Sequence, residues 1–223
     1  MLIAVPITAN SLKGAETEIA NADRVADLIE LRLDMLKGEF DAGALVKKAG
    51  NPVIVTCRRR AEGGKFGGSE KERIGILLGA LKAKPKYLDI EFSTNEKLRK
   101  KVIAKKGKTK IILSWHAVKK TPSPKALAAK LAAMKKVRGV DVIKMVAKAN
   151  SAGDNFKVIG LLKSRGKRKM VAFCTGPRGK ISRIVAPLEG SMFTFASLAA
   201  GKESAEGQIP IKELRRIYGA WEK

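Results

Sequence analysis

Residues 28–34 read Leu28-Ile29-Glu30-Leu31-Arg32-Leu33-Asp34. Successive side chains of a strand point to opposite faces, so Ile29, Leu31 and Leu33 share one face and Glu30 and Arg32 the other. A purely structural strand avoids burying such charges. The segment fits a parallel sheet whose strands end in a functional mouth, with the apolar face turned toward covering helices.

Similar runs recur at Leu2–Thr8, Pro52–Cys57, Tyr87–Phe92, Lys110–Trp115, Val140–Val146, Lys169–Cys174 and Met192–Ala196. Most are almost continuously apolar, as strands covered on both faces must be. Helix-like segments lie between them, among them Ser69–Lys82, Asn95–Lys106, Ser123–Val137 and Asp154–Ser164, with Ser69, Ser123 and Asp154 as caps. Ile209–Tyr218 supplies a closing helix. Eight strands alternating with helices predict an α/β fold, a single (β/α)8 TIM barrel that takes up residues 1–223 as one catalytic domain. An open doubly wound sheet usually has fewer strands and a glycine-rich first turn, which Ile7-Thr8-Ala9-Asn10 lacks.

Composition narrows the chemistry. Two cysteines, Cys57 and Cys174, make no disulfide framework, and with a single histidine a Cys/His zinc site is almost excluded. Catalysis is therefore expected to rest on side chains, with no metal and no cofactor. No apolar run reaches the ~20 residues that span a bilayer, and MLIAVPITAN reads as a first strand rather than a leader. The expected address is the cytoplasm, with no membrane partner. The net charge of +25 raises the question of nucleic acid. The basic pairs, such as Lys47-Lys48, Lys100-Lys101 and Lys135-Lys136, are spread along the chain without interleaved aromatics. They are read as a solvated surface that attracts anionic metabolites, and no nucleic-acid partner is expected.

The parity that places Glu30 and Arg32 in the mouth applies to other strands. Asp89 and Glu91 share a face, Arg58 follows the third strand, and His116 has the parity of Ile112 and Ser114. Lys144 has the parity of Val142 and Val146. A lone strand lysine is also what a snorkelling rim side chain looks like, but seven ionisable groups converging on one mouth argue against that. A lysine so placed suits imine formation with a ketone or aldehyde. It is almost wholly protonated in water at neutral pH, so cations at Arg32 and Arg58 are expected to help expose the neutral amine. His116 suits proton transfer beside the imine. The loop Glu62-Gly63-Gly64-Lys65-Phe66-Gly67-Gly68 reads equally as a mobile cover or as a plain flexible loop. Gly176-Pro177-Arg178-Gly179 opens a helix carrying Ser182 and Arg183, a good setting for a carboxylate or phosphate.

Taken together these motifs resemble the type I 3-dehydroquinate dehydratases. The likeness runs from Glu30-Leu31-Arg32-Leu33-Asp34 through Arg58, Glu62-Gly63-Gly64, Ser114-Trp115-His116 and Ile143-Lys144-Met145. It continues in Gly176-x-x-Gly179-x-x-Ser182-Arg183 and closes on Ser204-x-x-Gly207-Gln208. The resemblance implies a metal-free, usually dimeric barrel in the shikimate pathway, a hydro-lyase that turns 3-dehydroquinate into 3-dehydroshikimate and water. It implies Lys144 as the imine-forming lysine, His116 as the acid and base, and Glu62 as the group that orients His116. Arg183, Ser204 and Gln208 correspond to the carboxylate side of the substrate site, and Glu30, Arg32 and Arg58 to the groups that hold the ring hydroxyls. Ala117-Val118, Thr175 and Glu206 depart from the family pattern, the last standing where a proline is usual. These departures are expected to leave the chemistry alone. A class I aldolase-type barrel would explain Lys144 but not Arg183, Ser204 and Gln208.

Overall fold

The computed structural model describes residues 1–221. Eight strands alternate with eight α-helices: β1 Ile3–Ile7, α1 Leu12–Asp23, β2 Leu28–Arg32, α2 Ala42–Lys48, β3 Val53–Thr56, α3 Glu70–Leu81, β4 Tyr87–Glu91, α4 Glu96–Ala104, β5 Lys110–Ala117, α5 Pro124–Lys135, β6 Val142–Lys148, α6 Gly153–Ile159, β7 Lys169–Thr175, α7 Lys180–Val185, β8 Thr194–Phe195 and α8 Ile211–Trp221. All paired strands are parallel, in the order β7-β6-β5-β4-β3-β2-β1-β8. The seam between β7 and β8 is drawn together by one bond, Met192 N–H to the Met170 carbonyl at 2.8 Å. Phe195 packs across it on Phe173, with ring centroids 5.7 Å apart. The sheet thus curls into a nearly closed (β/α)8 barrel.

Side-chain parity divides the interior into two cores. Ile29, Leu31 and Leu33 lie between barrel and helices, as the alternation requires. Leu28, Ile54, Ile112, Val142, Val171 and Phe193 fill the barrel from inside, closing its lower half. The buried charged side chains of the strands, Glu30, Arg32, Asp89, Glu91 and Lys144, therefore lie above this layer, toward the C-terminal ends.

Helix starts follow their capping chemistry. Ser69 and Glu72 form a reciprocal capping box on α3, and Ser123 accepts the Ala126 N–H ahead of Pro124 on α5. Asp154 is a correction: it lies inside α6, and its carboxylate reaches back to the N–H groups of Asn150 and Ser151 at 2.9 and 3.0 Å. The expected helix Asp154–Ser164 also divides, because the chain tightens into a 3-10 turn over Gly160–Ser164. β5 and β6 run further up than expected, so His116 lies within β5 rather than after it. The last strand contracts to Thr194–Phe195, since it pairs only with β1.

Candidate active site

The upper ends of the strands enclose a cavity of about 400 Å³. Its lining includes Glu30, Arg32, Arg58, Glu62, His116, Lys144, Arg183, Ser204 and Gln208, so all nine side chains expected at the site meet in one place. They come from β2, β5, β6, α7 and the two connections β3–α3 and β8–α8, and no two motifs more than a few residues apart would meet without the barrel.

Lys144 stands on β6, 4% exposed, with its Nζ over the Phe195 ring at 4.4 Å. Two carboxylates face it, Asp89 at 3.2 Å and Glu30 at 3.5 Å. Glu30 is itself steadied by the Thr56 hydroxyl, which donates to it at 2.9 Å. The expected cationic field is not what surrounds this amine. Arg32 is committed to Asp34 through two bonds of 2.8 and 2.7 Å. Arg58 is committed to Asp89 at 2.7 Å, Glu91 at 3.0 Å and the Ser114 hydroxyl at 2.6 Å. Both arginines line the cavity, but a buried guanidinium demands anionic partners and has found them inside the protein. The lysine is delivered as one member of an alternating ionic network.

That network rests on Asp89, a residue the strand parity exposed but the site assignment omitted. Asp89 accepts from Lys144, from Arg58 and from the Ser114 hydroxyl. Burial alone would push its carboxyl up, yet Arg58 and Lys144 outweigh burial and hold it well below the ordinary carboxylate range. Glu91 lies deeper and joins Arg58 to Arg73 of α3 at 2.7 Å. Nothing in the local sequence marks Arg73, because a helical arginine is ordinarily solvated.

His116 projects from β5 beside the lysine. The Glu62 carboxylate accepts its backbone N–H at 2.9 Å and lies 3.0 Å from its Nδ1. This contact assigns the ring proton to Nδ1 and leaves Nε2 as the free lone pair. Burial, then the cations of Arg58 and Lys144, hold the imidazole well below its usual range, so it is a neutral base at neutral pH. Glu62 is pushed up by burial, against the opposing hydrogen bond from Ser93 and the charge of Arg58. Ser93 donates to the other Glu62 oxygen, a contact with no sequence signal. The glycine loop is pinned where it leaves Glu62: Lys65 N–H donates to Asp34 at 2.9 Å, and a Cβ at Gly64 would sit 2.0 Å from the Arg58 carbonyl. That clash explains the glycine.

Arg183 differs from the other cations. It is 1% exposed, it stacks on Phe173 at 4.5 Å, and among the described residues its Nε and Nη2 have no hydrogen-bond partner. Burial pulls its guanidinium down to about 9. A charge costs several kcal/mol to bury unpaired, and the fold holds it firmly: its carbonyl accepts from Thr194 and Tyr218. The turn before it is equally fixed. Ser182 accepts the Cys174 N–H at 2.7 Å, and Gly179 packs where a Cβ would meet the Cys174 carbonyl at 2.8 Å. The guanidinium lines the cavity, where it is able to pair with an anion.

Across the mouth, Ser204 donates through its N–H to Gln208 Oε1 at 2.7 Å. Gly207 has φ +82 and packs on Gly176, where a Cβ would meet the carbonyl at 2.3 Å. Ala117, Val118, Thr175 and Glu206 all line the cavity, so the departures from the family pattern sit at its wall. Glu206 faces Lys148 at 3.7 Å, an ion pair spanning the opening. Among the described residues, no cluster of His, Cys, Asp and Glu is arranged to hold a metal ion.

This geometry has a known setting. Residues 3–223 match the type I 3-dehydroquinase family. The chain belongs to that family. It is 39% identical over 204 residues to a 3-dehydroquinate dehydratase of Dehalococcoides mccartyi, covering 91% of this chain and 90% of that protein. A 3-dehydroquinate dehydratase of Pyrococcus abyssi is 35% identical over 216 residues, covering 97% and 96%. Among solved structures, the 3-dehydroquinate dehydratase of Aquifex aeolicus superposes with a TM-score of 0.81 at 27% identity, covering 99% of this chain and 98% of that one.

Proposed function

We propose that this chain is a hydro-lyase that converts 3-dehydroquinate to 3-dehydroshikimate and water through an imine on Lys144, a step of the shikimate route to aromatic amino acids. The observation that carries the reading is a single cavity holding a lysine amine, a neutral imidazole and a buried guanidinium without a partner. The substrate has a group for each: a ketone, an acidic C–H and a carboxylate.

The carboxylate pairs with Arg183, flanked by Ser204 and Gln208, and the ring hydroxyls face Glu30, Arg32 and Arg58. His116 takes up the Lys144 proton as the amine adds to the C3 carbonyl and returns it to the carbinolamine hydroxyl, which leaves as water as the iminium forms. The iminium draws electrons from C2, and His116 Nε2 removes the C2 proton. Electrons return as the C1–OH bond breaks, and the imidazolium donates its proton to the leaving hydroxyl. Water then hydrolyses the iminium, so one water is lost overall. Glu62 steadies the imidazolium that exists between the two transfers. Asp89 positions Lys144.

One experiment tests the assignment. Borohydride added during turnover of 3-dehydroquinate should reduce the imine and leave a substrate adduct on Lys144, read by peptide mass mapping. His116→Ala should still form the adduct while turnover falls by at least the roughly 10²–10⁴-fold of a general acid–base group. Lys144→Ala should form none. An adduct on another lysine, or near wild-type turnover in His116→Ala, overturns the mechanism.

The whole chain is read as one catalytic barrel that pairs into a homodimer, supported by the family likeness and checked by light scattering. A cytoplasmic address is supported by Cys57 and Cys174, both buried free thiols that burial pushes up to about 12 and about 11. Among the described residues, no helix is long and apolar enough to cross a membrane.

A further inference from the structure

The basic residues that are dispersed in sequence are gathered by the fold. The segments 82–86, 105–110, 135–141 and 163–169 lead into β4, β5, β6 and β7. They hold fifteen Lys or Arg against one acid, Asp141, so 25 residues carry +14 of the net +25. The other 198 residues, with 31 basic and 20 acidic side chains, carry the remaining +11. More than half of the excess charge therefore lies in about a ninth of the chain.

These four strands are consecutive neighbours in the sheet, so the segments lie side by side on the rim at the strands' N-terminal ends, opposite the Lys144 mouth. Hydrogen bonds stitch each segment to the next. Thr109 donates to the Pro85 carbonyl at 2.8 Å, Lys106 to the Gly139 carbonyl at 2.8 Å, and Arg168 to the Val140 carbonyl at 3.1 Å. Asp141, the only acid, is already taken by Lys106 at 2.7 Å. Ten of the fifteen cations are exposed. With strands about 4.8 Å apart and helices outside them, the result is a continuous cationic crescent.

We propose that this crescent is a docking surface for the phosphate backbone of a double-stranded nucleic acid, engaged without regard to base sequence. Charge sign selects a polyanion. The four segments contain no aromatic residue, so they offer no platform for unpaired bases. The large apolar side chains that are exposed, such as Phe156, Ile181 and Leu188, all lie outside these segments, so the crescent has no anchor for a lipid surface. Twelve of its fifteen cations are lysines, compact point charges suited to phosphates rather than to base edges. The surface stands apart from the catalytic cavity, and the inference does not depend on the proposed reaction.

The test is duplex binding by the full chain. Lys86, Lys108, Arg138 and Lys167 are exposed, lie one on each segment, and have side chains without a hydrogen bond or ion pair to any of the described residues. Fluorescence anisotropy with a mixed-sequence duplex should show binding at low salt, with log K falling against log salt at a slope of about −4 to −5 for roughly five phosphates. The variant K86E/K108E/R138E/K167E should lose binding by at least ~10²-fold at the same salt, with unchanged melting and unchanged turnover of 3-dehydroquinate. The half-variants K86E/K108E and R138E/K167E should each show an intermediate loss, and they serve if the fourfold variant folds poorly. No duplex binding at low salt, or equal binding by the variants, overturns the proposal. So does displacement of duplex by poly-glutamate at equal charge, or tighter binding to anionic vesicles, since either would assign the crescent to another partner.

Discussion

Replacing Arg183 by methionine should make the protein more stable and a much worse enzyme. The guanidinium is 1% exposed, is held down to about 9 by burial, and leaves Nε and Nη2 without partners. Two unsatisfied buried donors cost about 1–3 kcal/mol each, while the lost stacking on Phe173 offsets about 1 kcal/mol. The net gain for Arg183→Met is about 2 kcal/mol, or roughly 4–8 °C in Tm for a chain of this size. The sign with pH is definite. The charged form is penalised in the folded state, so the variant's advantage is full at neutral pH and shrinks as pH climbs from about 9 toward the ordinary arginine range. Substrate binding moves the other way. Two charge-assisted bonds to a carboxylate, at the low end of about 1.5 kcal/mol each, correspond to a ~10²-fold rise in KM. Scanning fluorimetry without substrate and steady-state enone absorbance give the two numbers. A variant with lower Tm and unchanged KM would show that Arg183 is an ordinary structural cation, and the anion-site reasoning would fail.

Glu62→Ala should lower kcat at least ~10-fold while KM stays within about threefold, because the carboxylate orients His116 and touches no substrate; an unchanged kcat removes it from the mechanism. His116 resists protonation in the folded state, whereas the unfolded chain takes up that proton below pH ~6.5. Stability should therefore fall as pH drops from 6.5, by up to about 1.4 kcal/mol per pH unit from this one group, and urea unfolding of His116→Gln should show a shallower slope. Glu206→Pro removes the pairing with Lys148 across the opening, an exposed pair worth at most about 1 kcal/mol. It should make KM less sensitive to ionic strength, and an unchanged salt dependence would show that the pair does not reach the substrate.

Much of this protein is legible along the chain because strand geometry is local. Alternation with a period of two sorted Glu30 and Arg32 from Ile29, Leu31 and Leu33, and it put His116 and Lys144 on inward faces before any contact was known. Apolar runs separated by capped helices sufficed for the barrel. Three things came only from the tertiary structure. Which charges neutralise which is set by distances across strands, so Arg32 and Arg58 proved to be held by Asp34, Asp89 and Glu91, and Lys144 to face carboxylates. The special standing of Arg183 is the lack of a partner, which no sequence can display. The cationic crescent exists because the barrel aligns four distant segments along one rim, and electrostatic energy depends on separation in space, not along the chain.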